Sequence, residues 1–104
     1  MGIVHLPEPI AFAWDKGNKE KNWIKHKVSI EEAEDAFYDT KRLLLNDIKH
    51  SDDKEERYVL FGKTEEGRML FIAFTIRKNN IRVISARDAH KKEVAFYEKA
   101  ISLT

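Results

Sequence analysis

The chain has 104 residues, 36% of them charged, a formal net charge of +1 and no cysteine, so we expect one domain over residues 1–104 with a single core. The lack of cysteine excludes disulfides and thiolate zinc sites, and it fits a reducing compartment. Because no apolar run approaches the roughly 18 residues of a membrane span and the N-terminus lacks a signal-peptide pattern, we expect a cytoplasmic protein without membrane contact.

The charge is unevenly distributed along the chain. Residues 31–56 carry a net charge of −6, whereas residues 77–99 carry a net charge of +4. A cationic face of this kind attracts phosphate groups. A solvated surface of mixed charge is the more ordinary explanation of the same distribution.

The N-terminal residues predict a short strand and then a helix. Residues 10–14 (IAFAW) form an expected edge strand after a lead-in that contains proline. Asp15 is a good N-cap for a helix over residues 16–26. Trp23 lies on the same face of this helix as Asn22, and we expect Trp23 to anchor that face in the core.

A second helix and another strand follow. Ser29 and Glu32 have the spacing of a capping box, which predicts a helix that ends near Asp39. The short link before it makes the two helices a hairpin that can lie across one face of a sheet. Leu43 begins the next strand, and residues 46–54 form a polar loop.

Residues 56–88 contain three runs rich in Val, Ile, Phe and Tyr, separated by short polar turns, which is the pattern of an antiparallel β-meander. A first turn at residues 64–67 places Leu60 opposite Ile72. A second turn falls at residues 78–80. Both faces of the meander are apolar in the middle, so both need a covering layer.

The last residues predict a C-terminal helix. Asp88 is its expected N-cap, and the helix runs to about Leu103. Glu93 lies on the apolar side of this helix, where a carboxylate needs a partner, and Arg87 or Arg82 is the expected one. The element order is β-α-α-β-β-β-β-α. It defines an α+β domain with a mostly antiparallel sheet, an N-terminal helix hairpin and a C-terminal helix.

Arginines and a few proton-transfer groups are the residues that can carry chemistry. Five arginines lie near strand ends: Arg57, Arg68, Arg77, Arg82 and Arg87. The groups able to move protons are Lys25, His26, His50, Glu56 and Tyr58. Metal-free RNA cleavage by the neighbouring 2′-hydroxyl needs a base, an acid and cations around the phosphate. The same arginines also have a simpler explanation, because charged strand ends discourage edge-to-edge pairing.

The histidines do not suggest a metal site. His5, His26, His50 and His90 have no HxxxH or HxH spacing, and the sequence contains no glycine-rich phosphate loop or nucleophile elbow. We therefore expect no metal and no cofactor. Composition and spacing alone indicate a small α+β domain with a basic site suited to RNA.

Two sets of motifs stand out in the chain. The first is Phe12-x-Trp14-Asp15, then Asn22, then Lys25-His26-x-Val28-Ser29-Ile30-Glu31-Glu32-Ala33. The second is Glu56-Arg57-Tyr58, Gly62, Gly67-Arg68-x-Leu70, Thr75-x-Arg77, Ile81-Arg82-Val83-Ile84-Ser85-Ala86-Arg87 and Glu93-x-x-x-Tyr97-Glu98. Together they resemble the BrnT toxin family over about residues 12–100. Two positions depart from the family pattern: Asn18 stands where lysine is usual, and Lys27 where glycine is usual.

The resemblance implies a RelE-like ribonuclease toxin of a type II toxin–antitoxin system. Its partner would be a BrnA-like antitoxin with a ribbon-helix-helix domain, and the complex would bind operator DNA only through the antitoxin. The free toxin would cleave RNA and inhibit translation. The implied architecture agrees with the element order predicted above.

The resemblance also suggests roles for individual residues. Arg57, Arg77 and Arg87 would stabilise phosphate, and His26 is the first choice for proton transfer, ahead of Glu56 and Lys25. Arg68 would position RNA, as would Lys25 and Arg82. Arg57 and Arg77 share a face of the sheet, and Arg87 joins them only if Arg77 pairs with Ile81. A two-residue turn at Asn79 and Asn80 would send Arg87 to the opposite face.

Two other hypotheses stay open. The first is a non-catalytic module of the same fold that binds RNA with strong salt dependence or binds an antitoxin, but cuts nothing. The second is a structural subunit whose arginines only dock an acidic segment of the antitoxin. An adjacent reading frame for a short ribbon-helix-helix protein would favour the toxin hypothesis.

Overall fold

Within residues 5–103, which the computed structural model describes, the chain forms three α-helices, four strands and one 3₁₀ turn. The elements in chain order are α1 Lys16–His26, α2 Ile30–Ala36, β1 Leu43–Asn46, a 3₁₀ turn at Ile48–His50, β2 Arg57–Lys63, β3 Met69–Arg77, β4 Asn80–Asp88 and α3 Lys91–Ser102. The strands form one antiparallel sheet in the order β1-β2-β3-β4. The predicted α+β class is confirmed. None of the helices in the described range has the length and apolar content needed to cross a bilayer.

Local capping explains where α1 and α2 begin and end. Asp15 Oδ1 accepts a hydrogen bond from Gly17 N at 2.7 Å, which satisfies one of the exposed amides of the first turn of α1. Lys27 ends α1 in a left-handed conformation with φ of 54°. Ser29 and Glu32 form the predicted capping box of α2. α2 ends at Ala36, earlier than predicted, because the next residues tighten into a turn.

The predicted register of β2 and β3 is confirmed. Leu60 lies opposite Ile72 and Phe61 lies opposite Phe71. The turn between the strands has Gly67 at φ of 96°, a left-handed conformation that glycine adopts at little cost. The alternation of side chains then sends even-numbered residues of both strands to one face and odd-numbered residues to the other.

The turn between β3 and β4 differs from the prediction. It is a two-residue turn at Lys78 and Asn79, both with positive φ, so Arg77 pairs with Asn80 rather than with Ile81. A bulge then leaves Ile84 without an opposite residue on β3. The bulge reverses the parity of the strand. Arg82 precedes the bulge and lies on the face of Arg57 and Arg77 because it pairs with Thr75. Arg87 follows the bulge, which brings it to the same face, opposite Phe71.

The predicted strand at residues 10–14 is wrong as a strand. Only Phe12 pairs with the sheet, as a single parallel bridge to Ile81. Ala13 N donates to Ile81 O at 2.9 Å, and Ile81 N donates to Ala11 O at 2.8 Å. The segment therefore covers one residue of the β4 edge.

Side-chain amides of α1 cover more of that edge. Asn18 Nδ2 donates to Val83 O at 3.3 Å, and Ala86 N donates to Asn22 Oδ1 at 3.1 Å. Asn22 is 2% exposed, whereas Trp23 is 52% exposed. The prediction that Trp23 anchors the helix is wrong. Asn22 is the anchor instead. Its buried side-chain amide accepts the hydrogen bond of a backbone N–H at the β4 edge, which would otherwise have no partner.

Each face of the sheet has its own apolar cluster. On the even-numbered face, Phe37 of the α2 end packs edge-to-face against Phe12 and Phe74 at centroid distances of 5.2 and 5.1 Å. On the odd-numbered face, the strand residues Val59 and Phe61 pack with Tyr97 of α3. Both faces are therefore covered, as the apolar pattern of the meander predicted.

The start of α3 corrects one capping prediction. The N-cap is His90, and Asp88 is the last residue of β4 instead. Glu93 accepts from His90 N at 2.7 Å, which closes the first turn from the other side. Asp88 is unable to cap the helix because its carboxylate binds Arg68.

Candidate active site

The residues predicted to act on RNA fall into two groups at opposite ends of β3, which spans about 26 Å from Met69 to Arg77 at 3.3 Å per residue. The first group is Glu56, Arg57, Arg77 and Arg82, near the turn between β3 and β4. The second group is Lys25, His26, Arg68 and Arg87, near the ends of α1 and β4. The structure therefore does not bring His26 together with Arg77.

Two members of the first group, Glu56 and Arg77, line a cleft of about 580 Å³, which we call the arginine cleft. It is lined by Lys54, Glu55, Glu56, Tyr58, Ile76, Arg77 and Lys78. Arg77 Nε donates to Glu55 Oε2 at 2.7 Å, and Arg57 Nε lies 3.9 Å from Glu55 Oε1. One carboxylate therefore sits between two guanidinium groups, in the position that an anionic ligand would take.

Backbone contacts fix the loop that carries Glu55 and Glu56. Arg57 N donates to Ser51 Oγ at 2.9 Å, and Ser51 Oγ donates to Asp47 O at 2.8 Å. Thr75 Oγ1 donates to Glu56 O at 2.8 Å from the neighbouring strand. These bonds tie both sides of the loop to the sheet, so the acidic pair has a defined position.

A tyrosine holds the carboxylate of Glu56. Tyr58 Oη donates to Glu56 Oε2 at 2.9 Å, and the Tyr58 ring stacks on Phe74 at 5.4 Å between centroids. Burial of the hydroxyl, together with the Glu56 carboxylate, raises the pKa of Tyr58. The phenol therefore keeps its hydrogen at neutral pH and remains a donor to Glu56.

Arg82 lies on the same sheet face but outside the residues that line the cleft. It pairs with Thr75, which in turn pairs with Arg57, so Arg82 is two strands away from Arg57. Arg82 Nη2 is 3.8 Å from Asp15 Oδ2 at the start of α1. Arg82 thus connects the cleft end of the sheet with α1.

Arg68, in the second group, joins three elements through one guanidinium. Nε donates to Asp88 Oδ1 at 2.7 Å, and Nη1 donates to Lys27 O at 2.8 Å and to Glu32 Oε2 at 3.0 Å. Nη2 donates to His26 O at 3.1 Å. The hydrogen bonds from Arg68 hold the pKa of Asp88 below its usual range. Arg68 therefore locks the end of α1 to the start of α2 and to β4.

Arg87 forms the ion pair that the sequence predicted for Glu93. Its Nη1 and Nη2 donate to Glu93 Oε1 and Oε2 at 2.8 and 3.0 Å, a bidentate geometry. The guanidinium also lies 3.9 Å from the centre of the Phe71 ring. The pair from Arg87 and the hydrogen bond from His90 N lower the pKa of Glu93. This arrangement binds α3 to β4.

The ion pair makes the folded state sensitive to acid. Because the pKa of Glu93 lies below its usual 4.5, the unfolded chain binds more protons than the folded one near that pH. The stabilisation is present above pH 4.5 and is lost as pH falls through the folded pKa. We expect Glu93→Gln to lower the free energy of unfolding at pH 7. Between pH 5 and pH 3, the free energy of unfolding should fall less in this variant than in the wild type.

Urea unfolding at several pH values measures this effect. Glu98→Gln is the matched control, since Glu98 lies exposed on the same helix and the change removes the same charge. If the free energy of unfolding fell equally steeply below pH 5 in Glu93→Gln and in the wild type, the ion pair would not contribute to stability.

The remaining residues of the second group lie near Arg68. His26 is half-buried at the last position of α1, and its charge helps to lower the pKa of Asp88, so the two side chains are neighbours. Lys25 is exposed beside it. Among residues 5–103, no cluster of three His, Asp or Glu side chains has the arrangement to hold a metal ion.

Five residues that line the cleft received no site role from the sequence: Lys54, Glu55, Tyr58, Ile76 and Lys78. Glu55 precedes the Glu56-Arg57-Tyr58 motif directly, and nothing in the sequence separates it from the other acids of the loop. Tyr58 appeared only as one of several proton-transfer groups. Its position two residues after Glu56 on a strand is the signal that could have identified it, because such residues lie on one face.

A sheet covered on both faces and a cationic cleft at one end define a small α+β protein whose cleft suits an anionic ligand. A family model described as "Ribonuclease toxin, BrnT, of type II toxin-antitoxin system" matches residues 14–93. The chain therefore belongs to the BrnT family of ribonuclease toxins, which confirms the resemblance inferred from the motifs. Membership in a type II toxin–antitoxin family implies an antitoxin as partner.

A solved structure is similar in fold. The 1.1 Å crystal structure of the Brucella abortus ribonuclease toxin BrnT matches with a TM-score of 0.58 and 16% sequence identity, over 79% of this chain and 99% of that chain. At this identity the similarity concerns the fold alone. A comparison with curated proteins gives no match.

Proposed function

We propose that this chain is a metal-independent endoribonuclease that cleaves RNA in the cytoplasm and so inhibits translation. The observation that supports this most is the arginine cleft, where Glu56 is held in place among Arg77, Lys54 and Lys78. A carboxylate base next to several cations is what attack by a 2′-hydroxyl on the adjacent phosphate requires.

Glu56 is the general base in this proposal. Its Oε2 accepts the hydrogen bond from Tyr58, so Oε1 faces the substrate and takes the 2′ proton. The 2′ oxygen then bonds to phosphorus while the bond from phosphorus to the 5′ oxygen breaks. The products are a 2′,3′-cyclic phosphate and a 5′-hydroxyl, and no external oxidant or metal takes part.

The proton donor for the leaving oxygen lies across the cleft. In-line displacement places the attacking and leaving oxygens on opposite sides of the phosphorus. The Tyr58 hydroxyl is 2.9 Å from Glu56, which is too close to the base for that position, so Tyr58 is a positioning residue. Lys54 and Lys78 line the same cleft, and we assign the acid to this pair of ammonium groups.

Arg57 and Arg77 stabilise the phosphate in this scheme. The Glu55 carboxylate lies between them in the free protein, so an RNA phosphate exchanges with it when the substrate binds. Arginine suits this role because its planar fork binds two phosphate oxygens at once. The developing charge in the transition state is then met by groups that are already oriented.

The residues at the other end of β3 have different roles in the proposal. Arg68 and Arg87 stabilise the fold, since carbonyls and carboxylates bind their guanidinium groups. Lys25 and His26 contribute to RNA binding from the end of α1. Glu56 replaces His26 as the proton-transfer group, because the length of β3 separates His26 from Arg77.

Neutralisation completes the proposal. A BrnA-like antitoxin with a ribbon-helix-helix domain would hold the toxin inactive and carry the complex to operator DNA. The family implies an antitoxin as partner, and charge complementarity would draw an acidic segment of it to the arginines of this chain. A fold of RelE-like type is the expectation that the resemblance adds.

Digestion of RNA by the purified, antitoxin-free protein in EDTA tests the proposal. We expect the wild type to cut RNA with 2′,3′-cyclic phosphate ends, and Arg77→Ala to cut at least about 100-fold more slowly, as when one oriented cation is removed from a transition state. A single 2′-deoxy nucleotide at the cut site should abolish cleavage there, because the nucleophile is missing.

The other outcomes separate the alternatives. Cleavage that stops in EDTA would contradict the metal-free mechanism. No cleavage of free RNA, with growth arrest on expression, would indicate action on ribosome-bound RNA. Neither cleavage nor arrest would favour a non-catalytic module that binds RNA or antitoxin.

A further inference from the structure

The outward face of α1 carries a tryptophan that packing does not explain. Trp23 is 52% exposed, although Asn22 beside it is buried against β4. An exposed indole costs free energy in water, because a large apolar surface remains hydrated. The Trp23 ring is therefore accessible to a ligand at the surface.

Lysines surround Trp23 in a regular pattern. Lys16, Lys19, Trp23 and Lys27 follow one another at intervals of three or four residues, so they form one stripe along the helix, which we call the lysine–tryptophan stripe. All four are exposed. Lys27 Nζ lies 5.4 Å from the centre of the Trp23 ring. Residues 16–27 contain five lysines and one acid, a net charge of +4 with the histidine neutral.

The stripe begins at the end of the sheet that carries Arg57 and Arg77. It begins at Lys16, directly after Asp15, whose carboxylate is 3.8 Å from Arg82. Arg82 in turn lies two strands from Arg57, a distance of about 10 Å at the usual strand spacing. The stripe therefore starts at the same end of the sheet as the arginine cleft.

We propose that the lysine–tryptophan stripe binds single-stranded RNA, with Trp23 stacking on a base and the lysines contacting phosphates. The inference rests on the proposed function, since it supplies the path by which substrate extends from the cleft. The stripe is about 16 Å long, the rise of four or five stacked nucleotides at about 3.4 Å each. Aromatic stacking combined with a cationic track is how proteins bind single strands without reading sequence.

A protein partner fits this face less well. Lysine is depleted in the buried centres of protein interfaces, whereas it is common along nucleic-acid backbones. The face is also the convex surface of a helix, and it offers one aromatic ring with Ile24 beside it. Charge complementarity with a phosphate backbone is therefore the better match.

Binding of a labelled single-stranded RNA with 2′-O-methyl groups throughout tests the inference. Such RNA lacks the nucleophile, so affinity is measured without cleavage. We expect Trp23→Ala to weaken binding about tenfold with an unchanged salt dependence, because a stack is lost and no charge is. Lys16→Gln with Lys19→Gln should instead lower the slope of log affinity against log salt by about 1.4.

Two matched variants serve as controls. Phe96→Ala removes a half-exposed aromatic from α3, on the other side of the sheet, and should bind as the wild type does. Trp23→Phe retains a ring, so affinity should stay within about threefold. In the wild type, RNA should quench tryptophan emission. Trp23→Phe should lose this quenching, because Trp14 is partly buried with its indole hydrogen bonded to Glu34 at 2.7 Å.

The results separate this inference from the proposed function. Equal RNA affinity in Trp23→Ala and the wild type overturns the inference, as does a Trp23→Ala protein that binds RNA normally but no longer binds antitoxin. A wild type that does not bind the RNA also overturns it. Cleavage of unmodified RNA by the same preparations then decides independently whether the proposed ribonuclease activity is correct.

Discussion

Glu56→Gln should lower the rate of RNA cleavage by about 10²- to 10⁴-fold without unfolding the protein, which is the usual contribution of a general base. The amide keeps the size of the side chain and still accepts the hydrogen bond from Tyr58. It is unable to take the 2′ proton. The loss should therefore appear in kcat, while KM for RNA stays close to that of the wild type.

Glu55→Gln is the matched control for this change. The two carboxylates are adjacent in sequence and line the same cleft, but Glu55 binds Arg77 whereas Glu56 binds Tyr58. Removing the Glu55 charge leaves the arginines without their anionic partner, so we expect RNA to bind as tightly or more tightly. Steady-state rates of both variants on one defined RNA decide the assignment. Equal losses of kcat in both would mean that the cleft responds to its net charge rather than to one base.

Local sequence signals predicted the parts of this fold that neighbouring residues determine. The caps at Asp15 and Ser29 lie where those residue types satisfy helix-end groups. The register of β2 and β3 follows from one short turn and from apolar residues on both strands. Such features need no knowledge of the rest of the chain.

Features that depend on distant contacts were not predictable in the same way. The bulge at Ile84 has no sequence signal of its own, yet it decides on which face Arg87 lies. Asn22 and Trp23 are adjacent on one helix, and only the position of the β4 edge makes the polar residue the buried one. A helical pattern alone favours the opposite choice, because tryptophan is the more apolar residue.

In the candidate site, too, the residues were predictable from local motifs, but their grouping in space was not. The sequence identified arginines at strand ends, but it grouped Arg77 with His26, which lie at opposite ends of β3. Which strand end meets which helix end depends on sheet order and on the direction of α1 along β4. Motif positions therefore predicted that these residues matter, without predicting that several of them hold the fold together.

Gly62→Ala should destabilise the fold strongly, by about 3 kcal/mol, at the upper end of overpacking costs. A Cβ at this position would lie 2.4 Å from the carbonyl oxygen of Ala36, at the end of α2, and 2.8 Å from Leu60 Cδ2. The closest obstacle is backbone, so no side-chain rotation relieves it. Either α2 moves away from β2, which opens the core around Phe37, or the strand shifts and strains its pairing with β3.

Gly67→Ala separates this steric effect from a general cost of replacing glycine. Gly67 has φ of 96°, but a Cβ there would meet nothing within 4 Å, so only backbone strain of about 1 kcal/mol is expected. Urea unfolding of both variants measures the difference, with the slope of the transition as a check that the folded states stay comparable. If Gly62→Ala were no less stable than Gly67→Ala, the close contact between β2 and the end of α2 would not limit the size of residue 62. A larger loss in Gly62→Ala than in Gly67→Ala would show that this glycine in the BrnT motif set is required for helix–sheet packing.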